Sequence, residues 1–213
     1  MSWFSRRMSA ARMRSDASAG FSLIEVIVAL TLIIFVMSAS VVFFVQSMQT
    51  SNAQQARQAA ISLSNQGMEQ ARATAATALL SGRDQTRSDA QWATIPAAAS
   101  AAAAVSSEVY DSTATTSSTP VVPFSTADVT TLVNKTQYTV NTFIGKCWVS
   151  TTTAAICNVP GSPPAGATPM YRIIVDVHWA AKRSESCPAS GCDYVVSTLR
   201  DPSAEPLFNS NGP

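Results

Sequence analysis

The chain has 213 residues, the length of one to one and a half ordinary domains. Charged residues make up 13% of it, about half of the usual ~25%, which excludes a nucleic-acid-binding tail, an acidic disordered segment and a strongly charged soluble enzyme. The formal net charge of +1 hides an uneven distribution, because residues 1–20 have a net charge of +3 and the rest of the chain has a net charge of −2. A basic N-terminal segment ahead of a weakly acidic body is typical of a targeting or topology signal.

The segment from Phe21 to Val45 is apolar for 25 residues, and its only ionisable side chain is that of Glu25. Because about 20 apolar residues suffice to cross a bilayer as a helix, this segment favours a membrane helix over the core helix of a soluble protein. A cleaved secretory signal peptide is disfavoured, since the small residues 17–20 precede the apolar run instead of following it. The arginines ahead of the run predict a single-pass topology with a cytoplasmic N-terminus and an extracytoplasmic body.

Glu25 is unusual in such a segment. A carboxylate inside the membrane costs roughly a few kcal/mol unless it finds a partner or reaches the headgroups. Glu25 lies four residues after Phe21, which is about one helical turn. If the chain were cut between Gly20 and Phe21, the new ammonium group could pair with Glu25 of a neighbouring copy. The alternative is a glutamate that simply points into the lipid headgroups.

The residues from Gly20 to Leu30, GFSLIEVIVAL, resemble the cleavage and methylation motif of type IV prepilins and type II secretion pseudopilins. The resemblance implies that a prepilin peptidase cuts after Gly20, that the new N-terminus at Phe21 is methylated, and that Glu25 pairs with the N-terminus of a neighbouring subunit. It also implies a pilin-like fold, a pool of protein in membrane lipid, an inner-membrane assembly platform, and a helical filament of other pilins or pseudopilins. It implies no cofactor.

Within that family, the run from Glu25 to Leu30 resembles V-type minor pilins and I-type pseudopilins. Major pilins more often carry a helix-breaking proline late in the apolar run, whereas this chain has no proline before Pro96. We therefore expect a minor pilin of a type IV pilus, with an I-type pseudopilin of a type II secretion system, or an adhesin or DNA-binding minor pilin at a pilus tip, as alternatives. Nucleic acid is a disfavoured partner, because the basic residues of the body are scattered and form no stripe.

The apolar helix is predicted to continue through residues 46–82, since no proline or turn cluster interrupts them. A stripe of small or apolar residues recurs every three or four positions, at Ala56, Ala60, Leu63, Gly67, Ala71, Ala75 and Ala78. This stripe is expected to pack on the chain's own domain, with packing between subunits as the alternative. Gly82 is predicted to end the helix at the C′ position.

Residues 83–127 are rich in Ala, Ser and Thr and are predicted to be mostly surface loop, with a short helix at residues 97–104. Residues 128–213 are predicted to form an antiparallel sheet domain. Its expected strands are Tyr138–Val149, Tyr171–Trp179 and Tyr194–Leu199, with Val129–Val133 as a candidate fourth.

Alternation in the strand around Tyr171–Trp179 predicts one buried face and one solvated face, the latter including Asp176 and His178. The apolar face of the sheet needs a cover, and the outer half of the long helix is the large candidate. The fold class is thus α+β, a long N-terminal helix whose outer half packs on an antiparallel sheet.

Four cysteines, an even number in an extracytoplasmic domain, predict two disulfides. Three pairings are open, and short loops favour Cys147–Cys157 and Cys187–Cys192. A zinc site made of the four thiolates is disfavoured because the usual CxxC pairs are missing. The chain also lacks GxSxG, HExxH and phosphate-binding glycine motifs, so no enzyme activity, catalytic residue or metal site is predicted.

Overall fold

The computed structural model describes residues 22–125, 131–133, 135–150, 157–158, 165–180 and 187–203. The helices are α1 (Leu23–Ala73), α2 (Gln85–Trp92) and α3 (Ala97–Ala104), with a short 3-10 turn at Ala76–Ala78. The strands are β1 (Ser107–Glu108), β2 (Thr131–Val133), β3 (Thr136–Val149), β4 (Cys157–Asn158), β5 (Thr168–Trp179) and β6 (Cys192–Arg200). The chain forms two compact units, the first ending at Met48 and the second beginning at Gln49, both within α1.

In the first unit, α1 is apolar on every side. Its first turn closes on the carbonyl of Ser22, which accepts hydrogen bonds from the backbone amides of Glu25 (2.9 Å) and Val26 (3.2 Å). The hydroxyls of Thr31 and Ser38 donate to carbonyls of the preceding turn, at 2.8 and 2.9 Å. These few polar groups are thus satisfied within the helix, as an apolar environment requires.

The second unit is built on an antiparallel sheet in the order β1-β3-β5-β6, with the short strands β2 and β4 also paired to β3. The two central strands pair along twelve residues, from Tyr138 opposite Trp179 to Val149 opposite Thr168. One face of the sheet packs against the part of α1 that follows Gln49. The predicted α+β class, a long N-terminal helix with an antiparallel sheet packed on its outer half, is therefore confirmed.

The residues of α1 that face the sheet are mostly small and recur every three or four positions. Ala56, Ala60, Ser64, Met68 and Ala71 are all buried. The Tyr138 hydroxyl donates to the carbonyl of Ala56 (3.1 Å), which fixes the helix to β3. At Gly67 a Cβ atom would lie 3.1 Å from Cγ1 of Val175, so the small side chains let the helix backbone approach the sheet closely.

Helix α1 ends at Ala73 and not at Gly82, so the predicted helix end was wrong. Ala75 and Ala78 of the predicted stripe lie beyond this end. Arg200 on β6 donates from Nη1 to the carbonyls of Ala71 (2.9 Å) and Arg72 (2.8 Å), and these bonds cap the last turn. Ala75 then adopts an extended conformation, with φ −56° and ψ 141°. Gly82 instead occupies a tight turn with φ +77°, where any Cβ would collide with the backbone of Thr119.

The segment predicted as mostly loop carries more structure than its composition indicated. The helix expected at residues 97–104 is present as α3, but α2 and β1 were missed. Helix α2 begins where the Asp84 side chain accepts a hydrogen bond from the backbone amide of Arg87 (3.0 Å), an N-cap that the biased composition of the segment obscured.

These helices cover the second face of the sheet, and the prediction that this face of β5 is solvated was therefore wrong. Ala99 of α3 packs in one apolar cluster with Phe143 and Ile174. Ile174 and Asp176 are both fully buried. The His178 side chain remains 39% exposed.

Candidate functional site

The prepilin-like motif lies at the start of α1. Gly20 and Phe21 fall outside the described residues, whereas Glu25 lies in the first turn of the helix and is exposed. A carboxylate at this position interacts favourably with the positive end of the helix dipole. Glu25 is therefore compatible with the helix that carries it, and its side chain is accessible to a neighbouring molecule.

Large apolar side chains surround α1 beyond Glu25. Those between Leu23 and Met48 are 45–78% exposed. Apolar surface of this extent on every side of a helix requires lipid or other helices as its cover. By length and composition, α1 can span a membrane.

The four cysteines of the second unit form two disulfides, Cys147–Cys157 and Cys187–Cys192, and none is free. The first joins β3 to β4, and the second closes the short loop that leads into β6. With all four sulfur atoms paired, no thiolate remains for the zinc site that the sequence left as an alternative.

A buried arginine that sequence analysis did not single out holds the segment around α2 against β3. Arg83 is 1% exposed. It donates to the carbonyls of Val122 (2.9 Å) and Thr142 (3.0 Å) and to Oε1 of Gln91 (2.8 Å), and it stacks over the ring of Phe124 at 4.0 Å. Burial, and to a smaller extent repulsion from Arg87, lowers the pKa of Arg83 to about 9. Arg83 therefore stays charged at neutral pH.

A second polar group lies within the sheet, around Asp176. Its carboxylate accepts a hydrogen bond from Nδ2 of Asn141 (3.2 Å). Burial raises the pKa of Asp176 to about 6. The neighbouring His178 bonds through Nδ1 to Asp193 (2.7 Å). In the described part of the chain, no three His, Cys, Asp or Glu side chains are arranged to hold a metal ion.

A pocket of about 310 Å³ lies between α2 and β3, and it is lined mainly by Arg87, Gln91, Phe124, Asn141 and Phe143. The polar groups on its wall are already engaged. Gln91 donates to the carbonyl of Phe124 (2.6 Å), and Asn141 donates to Asp176. The wall therefore offers few free polar groups to a ligand, and the candidate functional site remains the start of α1.

Residues 16–41 match the family model described as the prokaryotic N-terminal methylation motif. The matched range contains Gly20, Phe21 and Glu25 together with most of the apolar run. Comparisons with curated proteins and with solved structures give no match. The chain thus carries a prepilin-type N-terminal motif, which supports a place in the superfamily of type IV pilins and pseudopilins.

Proposed function

We propose that this protein is a minor pilin, a structural and assembly subunit of a type IV pilus. The observation that carries the proposal is the methylation motif at residues 16–41, which includes the start of the exposed apolar helix that begins at Leu23. A cleavable basic leader and a helix able to exchange lipid for other helices are the two features that such a subunit needs.

In the proposed sequence of events, the chain is first held in the inner membrane by α1, with its arginine-rich leader in the cytoplasm. A prepilin peptidase then cuts after Gly20 and methylates the amine of Phe21. The new ammonium group pairs with Glu25 of a neighbouring subunit, which removes the cost of leaving either charge alone in apolar surroundings. The helix leaves the lipid as the subunit joins the filament at the assembly platform.

The second candidate is an I-type pseudopilin of a type II secretion system. The run from Glu25 to Leu30, EVIVAL, favours it as much as it favours a V-type minor pilin. Both candidates require the same processing and the same helix-mediated assembly. They differ in how far the assembled filament extends from the inner membrane. A pilus subunit reaches the cell surface, whereas a pseudopilin stays in the envelope.

Processing is tested by expressing the full chain with and without an active prepilin peptidase and determining the mass and N-terminal sequence of the product. We expect the peptidase to remove residues 1–20 and to leave a methylated Phe21. Gly20→Val should keep the leader, because a branched side chain does not fit the peptidase, and Ala17→Val should be processed normally. Recovery of the wild-type chain with its leader intact in the presence of active peptidase would refute both candidates.

The two candidates are separated by shearing surface filaments from cells and probing the sheared fraction for this chain. A minor pilin should appear in that fraction and should disappear from it in the Gly20→Val variant. A pseudopilin should be processed but should remain with the envelope.

A further inference from the structure

A glycine in β3 leaves a notch in the second face of the sheet, and the indole of Trp92 fills it. Trp92 is the last residue of α2. A Cβ atom at Gly145 would lie 2.9 Å from Cη2 and 3.0 Å from Cζ2 of Trp92, so a side chain at this position would compete with the indole. The same indole meets the ring of Phe143 edge-on, with 6.5 Å between the two ring centroids. The notch therefore holds the end of α2 on the sheet.

Two oppositely charged residues flank the notch. Gly145 lies in register with Glu108 of β1 on one side and with Arg172 of β5 on the other. Residues directly opposite each other in an antiparallel sheet share a face, so the two charged residues and the notch form one row. Neighbouring strands are about 4.8 Å apart, which separates the backbones of Glu108 and Arg172 by about 10 Å. That separation is within the combined reach of a glutamate and an arginine side chain.

The two charged side chains nevertheless do not pair. Among the ion pairs of the described residues, none joins Glu108 to Arg172. Oε1 of Glu108 and Nε of Arg172 are both buried and have no hydrogen-bond partner. A buried polar atom without a partner destabilises the arrangement that contains it. The indole above Gly145 thus occupies the space in which the two side chains would otherwise meet.

The other charges near Glu108 do not replace this pair. Asp89 and Arg83 are the charged groups that act on Glu108. Asp89 has the same sign as Glu108, and the guanidinium of Arg83 already donates to the carbonyls of Val122 and Thr142. Helix α3, which packs on the same face, consists of alanine and one serine. Arg172 is therefore the cation that Glu108 would gain if the indole left the notch.

We propose that Trp92 is a gate with two positions. In the closed position, which the structure shows, the indole fills the notch and keeps Glu108 and Arg172 apart. In the open position the indole leaves the notch, and the two side chains close over Gly145 as an ion pair. Each position satisfies groups that the other leaves unsatisfied, which is the condition for a two-state equilibrium. This inference does not depend on the proposed role in a pilus.

The gate controls access to the pocket between α2 and β3. Phe143 lines that pocket, and its ring is in contact with the indole of Trp92. When the indole leaves, Phe143 loses this contact and the pocket extends along the sheet toward Gly145. The pocket is therefore larger in the open position than in the closed one.

The first test is a double-mutant cycle between Glu108→Gln and Arg172→Met, measured by denaturant unfolding of the full chain in micelles at pH 8. Burial, and to a smaller extent the charge of Asp89, raises the pKa of Glu108 to about 7, so Glu108 is ionised at this pH. With Trp92 present, the coupling should change the unfolding equilibrium constant by less than about twofold. In the Trp92→Ala background, which opens the gate permanently, the coupling should be at least about fivefold.

A matched cycle controls for general effects of the Trp92→Ala background. Glu69 and Arg72 of α1 form an exposed ion pair at 3.1 Å. The coupling between Glu69→Gln and Arg72→Met should be the same with and without Trp92.

The second test follows the indole directly, by fluorine NMR of the full chain labelled with fluorotryptophan. Gly145→Ala should push the indole out, and it is combined with Ser106→Gly because the Cβ of Ser106 also lies 2.9 Å from the new methyl group. The Trp92 resonance, assigned with Trp92→Phe, should then show a solvent isotope shift close to that of the denatured chain. The shift of the buried Trp179 should not change. Ser106→Gly alone should leave Trp92 shielded.

The gate is refuted if the coupling between Glu108 and Arg172 is the same in both backgrounds. An absent coupling would show that the two charges do not close over Gly145, and a full coupling in the wild type would show that the indole does not separate them. It is equally refuted if Trp92 stays shielded in the folded Gly145→Ala, Ser106→Gly chain. The two measurements use different variants, so each decides the question if the variant of the other does not fold.

Discussion

Arg200, near the end of the last described strand, donates a hydrogen bond of 2.9 Å to the carbonyl of Ala71 in the last turn of α1. The two residues are 129 positions apart in the chain. The same Nη1 atom also reaches the carbonyl of Arg72, so one guanidinium satisfies two carbonyls that the end of the helix would otherwise leave open. A cation at this end of a helix also interacts favourably with the helix dipole.

Arg200→Met should therefore destabilise the protein by about 1–2 kcal/mol, because it removes two charge-assisted hydrogen bonds while keeping the aliphatic stem. Arg72→Met is the matched control. Its ion pair with Glu69 (3.1 Å) is exposed on both sides and should contribute at most about 0.5 kcal/mol. Denaturant unfolding of the full chain in micelles measures both changes. Equal losses in the two variants would contradict the capping role of Arg200.

Arg83→Lys should cost about 2–4 kcal/mol although it conserves the charge. The guanidinium of Arg83 reaches the carbonyls of Val122 and Thr142 and the side chain of Gln91 from two different nitrogen atoms. A lysine ammonium is a single point that cannot satisfy this fork while it is buried. Arg57→Lys, on the exposed side of α1, should change the unfolding free energy by less than about 0.5 kcal/mol. An Arg83→Lys variant as stable as this control would show that the buried fork is dispensable.

Asp176→Asn should stabilise the protein at neutral pH. Burial raises the pKa of Asp176 from 3.8 to about 6. Its contribution to stability is therefore full below the unfolded value and is lost as the pH rises through the folded value. The variant should gain about 1–3 kcal/mol over the wild type at pH 7.5 and little or nothing at pH 3.5.

The measurement is denaturant unfolding of both proteins from pH 3.5 to pH 8, monitored by tryptophan fluorescence, to which the buried Trp179 of β5 contributes. Asp201→Asn controls for a general effect of removing an acid, since hydrogen bonds from Ser203 lower the pKa of Asp201 and its loss should be slightly destabilising. A gain in Asp176→Asn that does not vary with pH would show that ionisation of Asp176 is not its origin.

Glu25→Gln should leave cleavage after Gly20 intact but should reduce incorporation into filaments by at least about tenfold. The amide cannot neutralise the ammonium of a neighbouring Phe21, and an unpaired charge in apolar surroundings costs at least about 1.4 kcal/mol, which corresponds to tenfold. The ratio of assembled to membrane-held protein measures the effect, with Glu69→Gln as the control. Normal assembly of the Glu25→Gln chain would contradict the proposed role of this carboxylate in filament assembly.

The start of the chain could be interpreted from sequence because its information is local. One short segment contains the apolar run beginning at Phe21, the arginines ahead of it and Glu25. The strand β5 was likewise predicted from alternation within one short segment. The small-residue stripe of α1 repeats at the helical period, so a buried helix face followed from its spacing. The spacing left open whether that face packs on the chain's own sheet or on another subunit.

The end of α1, the burial of Arg83 and the burial of Asp176 were decided by the tertiary structure. Each depends on a partner far away in the chain, respectively Arg200, Thr142 and the α2–α3 segment. Helix formers continue past Ala73 and polar residues mark one face of β5, so local propensity indicated a longer helix and a solvated face. The helix end was decided by the carbonyls that Arg200 caps, and the burial of the second sheet face by the apolar surface that α2 and α3 cover. The free energy gained by capping carbonyls and burying apolar surface exceeds the small differences in local propensity.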